Sequence, residues 1–280
     1  MKLVQLGADD LEALVALPAS VGWQDSVADW RTLLACARVF GHRDDAGALV
    51  SCGALVDHGG VAFVAKMVVR PELHGRGLGR AVLEQVMSVA RPGALLALVA
   101  TAMGAPVYAR AGFVETGRVN KLLAPGATGL SELDARGVEL LGAADVQAVL
   151  ELDREIFGAE RARMLRARLA QAREGRVLRE GGRVVGFGLA IEQHGLTVVG
   201  PVLAPDVAGA TALVAALARG APAALRIDIP DRAGAQQALA AWLGERGFVR
   251  VDHPAAMSLG GVALPGARER LFALAAQAFG

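Results

Sequence analysis

Hydrophobic positions along this chain switch repeatedly between a period of two and a period near 3.6. "KLVQL" alternates as a short strand, and "ADDLEALVALP" continues as a helix with acidic residues in its first turn, where the helix dipole favours them. "SVADWRTLLACA" opens a second helix. Ser26 and Asp29 have capping-box spacing, and Val27, Trp30, Leu33 and Leu34 form the apolar stripe. "RVFGHRD" and "ALVSCGALVDHG" predict a hairpin turning at "DDAG", and "GVAFVAKMVVRP" predicts a third strand that breaks at Arg70-Pro71. A helix over residues 79–90 follows, with Val82, Leu83, Val86 and Met87 on one face. Then come a strand buried on both faces ("ALLALVA"), a short helix ("GAPVYARAG") and a pair of strands in "FVETGRVNKLLAP".

Periodicity lapses in "PGATGLSELDARG", where turn formers gather. This divides the chain into a first domain (1–126), a linker (127–136), a second domain (137–264) and an amphipathic C-terminal helix (265–280). The second half repeats the order of elements of the first. The repeat is visible in residues too: "MVVRPELHGRGLGRAVL" (67–83) lies over "TVVGPVLAPDVAGATAL" (197–213) without a gap, and "YARAGFV" lies over "LGERGFV". The fold class this predicts is α/β (α+β), two domains of one plan in tandem.

Composition narrows the chemistry. Apolar residues make up 54% but aromatic ones only 4%, so the core is built from Ala, Val and Leu. A net charge of +1 gives no electrostatic reason to expect nucleic acid or an anionic membrane as partner. Three of the 29 basic residues are lysines, leaving 26 arginines, which with the Ala and Gly excess reads as genomic base composition. Cys36 and Cys52 give neither a disulfide framework nor metal-ligand spacing, so no metal is expected and a reduced, cytoplasmic setting is. The N-terminus lacks a signal-peptide core, and no apolar run is long enough to span a bilayer as a helix.

The densest signal is "LHGRGLGRAVL", where Gly75, Gly77 and Gly79 alternate between strand and helix. A dinucleotide fingerprint fails on spacing, since its last glycine would fall on Arg80 or Val82. A P-loop fails because neither Lys nor Ser/Thr opens the helix. A loop whose backbone N–H groups grip a pyrophosphate at the helix N-terminus fits, with Arg76 and Arg80 flanking it. An ordinary left-handed turn needs only one or two glycines.

This stretch resembles the coenzyme A pyrophosphate loop of the GNAT superfamily of N-acetyltransferases, whose signature is Gln/Arg-x-x-Gly-x-Gly/Ala. Gly77 and Gly79 match the small positions, while His74 stands where Gln or Arg is expected. "APVYARAGF" is similar to the family's Tyr-x-x-x-Gly-Phe segment, in the right order and spacing. The resemblance implies a mixed, mostly antiparallel sheet flanked by helices in each domain, and acetyl-CoA as acetyl donor. It implies that Met67, Val68 and Val69 lie beside the donor with His74, Gly75, Arg76, Gly77, Leu78, Gly79 and Arg80. In similar enzymes a main-chain N–H of the strand, here Val69, polarises the acetyl carbonyl, and a tyrosine, here Tyr108, protonates the departing thiolate. Tyr108 is the only tyrosine. Trp23 and Asp25, between the first two helices, are candidates for the acceptor wall. Lys66 either binds a substrate carboxylate or faces solvent or a neighbouring carboxylate. Asp57, His58 and Glu72 are possible bases, and none is singled out.

In the second copy Val207 replaces the first glycine, Asp206 brings a negative charge, and Leu243 stands at the tyrosine position. That half is therefore read as a degenerate copy that closes the acceptor pocket, with "EQHG" and "RIDIP" as its candidate faces. The expected activity is acetyl transfer to the primary amine of a small molecule or amino acid, in a monomer or homodimer. The alternatives are a protein or peptide N-acetyltransferase and a non-catalytic coenzyme-binding sensor.

Overall fold

In the first half the elements are β1 (Lys2–Leu6), α1 (Leu11–Ala19), α2 (Val27–Cys36), β2 (Ala37–Arg43), β3 (Leu49–Asp57), β4 (Val61–Val69), α3 (Leu78–Ser88), β5 (Leu95–Ala100), α4 (Ala105–Arg110) and β6 (Phe113–Ala124). In the second half they are β7 (Val138–Leu140), α5 (Val146–Phe157), α6 (Ala162–Gln171), β8 (Glu174–Glu180), β9 (Arg183–Gln193), β10 (Leu196–Leu203), α7 (Val207–Ala218), β11 (Ala224–Asp231), α8 (Ala235–Gly244), β12 (Val249–Asp252), β13 (Ala255–Leu259) and β14 (Leu271–Ala273). This computed structural model describes all residues except 24, 127, 128, 131–134, 136 and 223. Most of the expected linker thus lies outside the described residues, though Leu130 within it is fully buried. No helix among the described residues is long and apolar enough to cross a membrane.

Local signals carried these elements. At α2 the capping box forms in both directions, Asp29 N–H donating to Ser26 Oγ at 3.1 Å and Ser26 N–H donating to Asp29 Oδ2 at 3.0 Å. Each half has helices on both faces of its strands. In the first half, α1 and α2 cover one face, with Trp30, Leu33 and Leu14 buried among Phe63 and Ala65 of β4. On the other face α3 and α4 pack Val82, Leu83 and Val86 against Val64, Leu98 and Ala100.

Two expectations fail. "FVETGRVNKLLAP" is a single 12-residue strand, β6, rather than a pair. One edge of β6 pairs with β13 at its start and with β12 further on, while the other edge takes β11. Strand β13 in turn lies between β5 and β6. Each half therefore lends the other a strand, and one 14-stranded sheet runs through both. The strand runs on without an internal turn because it is paired along its length, with a bulge between Glu115 and Gly117.

The second failure is the C-terminal helix. Residues 268–270 form a short 3₁₀ turn, β14 pairs with β10, and Leu274 N–H donates to Asp228 O at 2.9 Å. Leu271, Phe272, Ala273, Leu274 and Ala275 are all buried, so the segment has no solvent face for a helix to turn outward. Further on, Ala275 and Phe279 join Phe157 and Met164 in the core of the first half. The segment stitches the halves together.

Candidate functional site

Between Cys52 and Ala54 the β3–β4 register slips, so that Lys66 and Met67 together face Gly53. Lys66 takes a left-handed conformation (φ 53°) to make this bulge. Gly53 permits it, because a Cβ there would lie 2.3 Å from Met67 Sδ and 2.6 Å from Val82 Cγ1. Past the bulge the strand turns again. Arg70 N–H donates to Val50 O, so the preceding residue, Val69, points its N–H and C=O away from β3. On that side β5 pairs with β4 only from Val61 to Phe63. The two strands then part, and Val69 faces the gap.

The glycine loop leads from this gap into α3. Gly75 and Gly77 have φ near +80°, and a Cβ on either would meet nothing within 4 Å, so the space above them is open. Gly77 is the N-cap of α3 and contributes no side-chain cap, so the first-turn amides keep their donors for another group. A Cβ on Gly79 would lie 3.5 Å from Val69 Cγ2. Arg76 is exposed and Arg80 pairs with Glu84 in the next turn. His74 is the departure from expectation: its Nε2 lies 2.9 Å from Val69 O and donates to it, bracing the loop against the strand rather than reaching outward.

The second copy shows what a closed version of this turn looks like. Asp206 is the N-cap of α7 and its Oδ1 accepts from Gly209 N–H at 2.8 Å. The carboxylate occupies one first-turn amide of a kind that α3 leaves free. Gly209, unlike Gly77, is buried against Leu178, which a Cβ would approach to 2.7 Å.

Tyr108 lies on the α3 side of the split sheet, almost fully buried and edge-on to Phe113 with ring centroids 6.1 Å apart. Burial pushes its phenol up to about 12, so it holds its proton through the physiological range. On the α1–α2 side the structure brings three sequence candidates together. Lys66 Nζ pairs with Asp25, and lies 5.9 Å from the ring centroids of both Trp23 and Trp30. Asp25 Oδ2 and Trp30 Nε1 are buried there without partners among the described residues. Trp30, part of the apolar stripe of α2, thus stands in the core beside Lys66 with its indole N–H unpaired among the described residues.

The suggested bases separate. Asp57 and His58 sit at the far end of β3, seven β4 residues from Val69 or roughly 23 Å at ~3.3 Å per residue. Burial raises Asp57, but hydrogen bonds from Arg91 and Gly59 outweigh it and hold the carboxyl below its usual range. His58 is buried, bonded to Phe279 O at 3.2 Å and pushed down to about 3. Glu72 is exposed beside the loop. From the second half, Gln193 of "EQHG" donates to Asp29 Oδ2 at 2.6 Å, next to the Trp23–Asp25 loop. The end of "RIDIP" lines a cavity of about 700 Å³ between the halves.

Two acetyltransferase (GNAT) domain families match the chain, one over residues 36–115 and the other over 149–273. The uncharacterized N-acetyltransferase YitH of Bacillus subtilis (strain 168) is 27% identical, across 100% of this chain and 98% of its own. Among solved structures, a putative acetyltransferase from Pyrococcus horikoshii superposes with a TM-score of 0.80 at 20% identity, covering 99% of this chain and 96% of that one. A tandem GNAT protein from the clavulanic acid biosynthesis pathway superposes with a TM-score of 0.63 at 18% identity, covering 94% and 99%.

Proposed function

The chain belongs to the GNAT acetyltransferases, carrying two such domains in tandem, and from that premise we propose that its first half alone transfers acetyl from acetyl-CoA to the primary amine of a small molecule or amino acid. One contrast carries the reading: the N-terminus of α3 is glycine-lined and uncapped, while that of α7 is capped by its own Asp206. The residues present fit the donor. Free amides and the dipole of α3 suit a pyrophosphate, the open space above Gly75 and Gly77 admits it, and the gap between β4 and β5 suits a pantetheine arm.

Acetyl-CoA supplies the acetyl group as a thioester. The chain's own groups then divide the work. Val69 N–H, turned into the gap and held there by the His74 brace on its carbonyl, donates to the acetyl carbonyl oxygen. Tyr108, kept protonated by burial, donates its proton to the departing sulfur. Asp25 Oδ2, buried without a partner among the described residues, accepts an N–H of the incoming amine beside Trp23. Lys66 holds the other side of that carboxylate and so orients it. In a ternary complex the amine nitrogen attacks the acetyl carbon directly, forming the amide as the C–S bond breaks; the sulfur leaves with the Tyr108 proton, and the proton lost by nitrogen passes to water, which reprotonates Tyr108.

Calorimetry with acetyl-CoA, then turnover against an amine panel, tests this. Gly77→Glu is expected to abolish acetyl-CoA binding by filling the open space. Ala208→Glu, an exposed change in the first turn of α7, is expected to leave it unaltered. Equal losses would refute the single-site reading.

A further inference from the structure

The cavity between the halves has an electrostatic imbalance that acetyl-donor binding does not use. Its walls are β5 at Ala97–Val99, the middle of β6, the ends of β11 and β13, and the segment around Arg268. It therefore touches β5 just where β4 and β5 part after Phe63 and Ala97. Two carboxylates line it and both are taken: Glu115 pairs with Arg118 at 2.9 Å, and Asp231 with His253 at 2.8 Å. Arg232 and Arg268 line it without an ion-pair partner among the described residues.

Arg268 is the unusual one. It is 95% buried, with 5% of its surface exposed, and its guanidinium lies 3.9 Å from the Phe157 ring centroid. Its Nε donates to Pro265 O at 3.0 Å, but Nη2 is buried and has no partner among the described residues. The nearby Asp153 cannot serve, because Arg161 engages both its oxygens at 2.8 Å. Burial first, then Arg161 and Arg232, push Arg268 down to about 9, as expected of a cation without a counter-ion. A buried charge of this kind is costly unless something pairs with it, and a guanidinium fork suits a carboxylate. Lys66, the cation that the sequence offered for a substrate carboxylate, is already engaged by Asp25.

We propose that this cavity is an anion site that takes a small carboxylate, gripped by Arg268 and Arg232. The site rests on the geometry of the cavity alone. The volume of about 700 Å³ suits a small molecule, and apolar walls such as Leu98, Met257 and Leu264 leave room for an uncharged body.

Thermal unfolding of the full chain, with succinate as probe against sodium chloride of equal ionic strength, tests the anion site without acetyl-CoA. Succinate at ten times its Kd is expected to raise the midpoint by about 2–4 °C. Arg232→Gln should shrink that rise and Arg268→Met should abolish it. Arg268→Met should also be no less stable than the parent without succinate, because it removes an unpaired buried charge. If Arg268→Met does not fold, Arg232→Gln decides. Absence of a succinate-specific rise, or equal rises in parent and both variants, would overturn the site.

Discussion

His58 ties the first half to the C-terminal segment and makes the tie sensitive to acid. Its ring is buried, with Nε2 donating to Phe279 O at 3.2 Å, Phe157 edge-on at 5.4 Å, and Nδ1 without a partner. Burial and then the neighbouring Arg161 push it from an ordinary value near 6.5 down to about 3. The sign follows from linkage. Below pH ~6.5 the unfolded chain takes up a proton that the folded ring refuses, so stability falls as pH falls, by ~1.4 kcal/mol per pH unit, until the folded value is reached. At pH 4.5 the loss is therefore about 2–3 kcal/mol, a sizeable part of a typical total of ~5–15 kcal/mol. His58→Phe fits the aromatic surroundings and gives up one hydrogen bond, worth ~1 kcal/mol. The variant should be about 1 kcal/mol less stable at pH 7, equal near pH ~5.8, and more stable than the parent at pH 4.5. Urea unfolding of both proteins at four values between pH 7 and 4.5 measures this. Taking the difference cancels the carboxylates that both proteins share. Parallel curves would refute the reasoning, because they would mean that His58 titrates as freely in the folded protein as in the unfolded chain.

Tyr108→Phe should leave acetyl-CoA affinity and thermal stability unchanged while lowering kcat about 100-fold or more. In the parent, the phenol pushed up to about 12 predicts no alkaline loss of kcat from this group near pH 10, where an unperturbed tyrosine titrates. A Tyr108-dependent fall in kcat centred there would contradict that. Gly53→Ala should cost ~1–3 kcal/mol in urea unfolding, because its Cβ would collide with Met67 Sδ and Val82 Cγ1 at the bulge. It should also depress turnover with every amine, since the bulge aims Val69. Parental stability and rate would show that the bulge tolerates the extra methyl.

Much of this site was legible in the residues because its determinants are local. A glycine loop between strand and helix follows from alternating Gly75, Gly77 and Gly79, and its absence in the copy from Val207 and Asp206. The capping box at Ser26 and Asp29 is likewise a matter of spacing within one turn. His74 shows where local reading stops. The resemblance placed it beside the acetyl donor, and its ring turns back to Val69 O, a contact set by how the loop folds over the strand. Lys66 is similar: its partner Asp25 is 41 residues away, so its alternation in β4 could not reveal that ion pair.

The chain by itself determined its elements, their repetition, and which copy keeps an open helix N-terminus, since those depend on period, caps and glycine positions within a few residues. Tertiary structure alone decided the exchange of β6 and β13, the extended course of residues 268–280, and the convergence of Arg268 with Arg232 on one cavity. The physical reason is that an apolar run such as "LFALAA" satisfies either period. Strand pairing chose between them, through backbone groups of β10 and a carbonyl of β11 that no local pattern encodes.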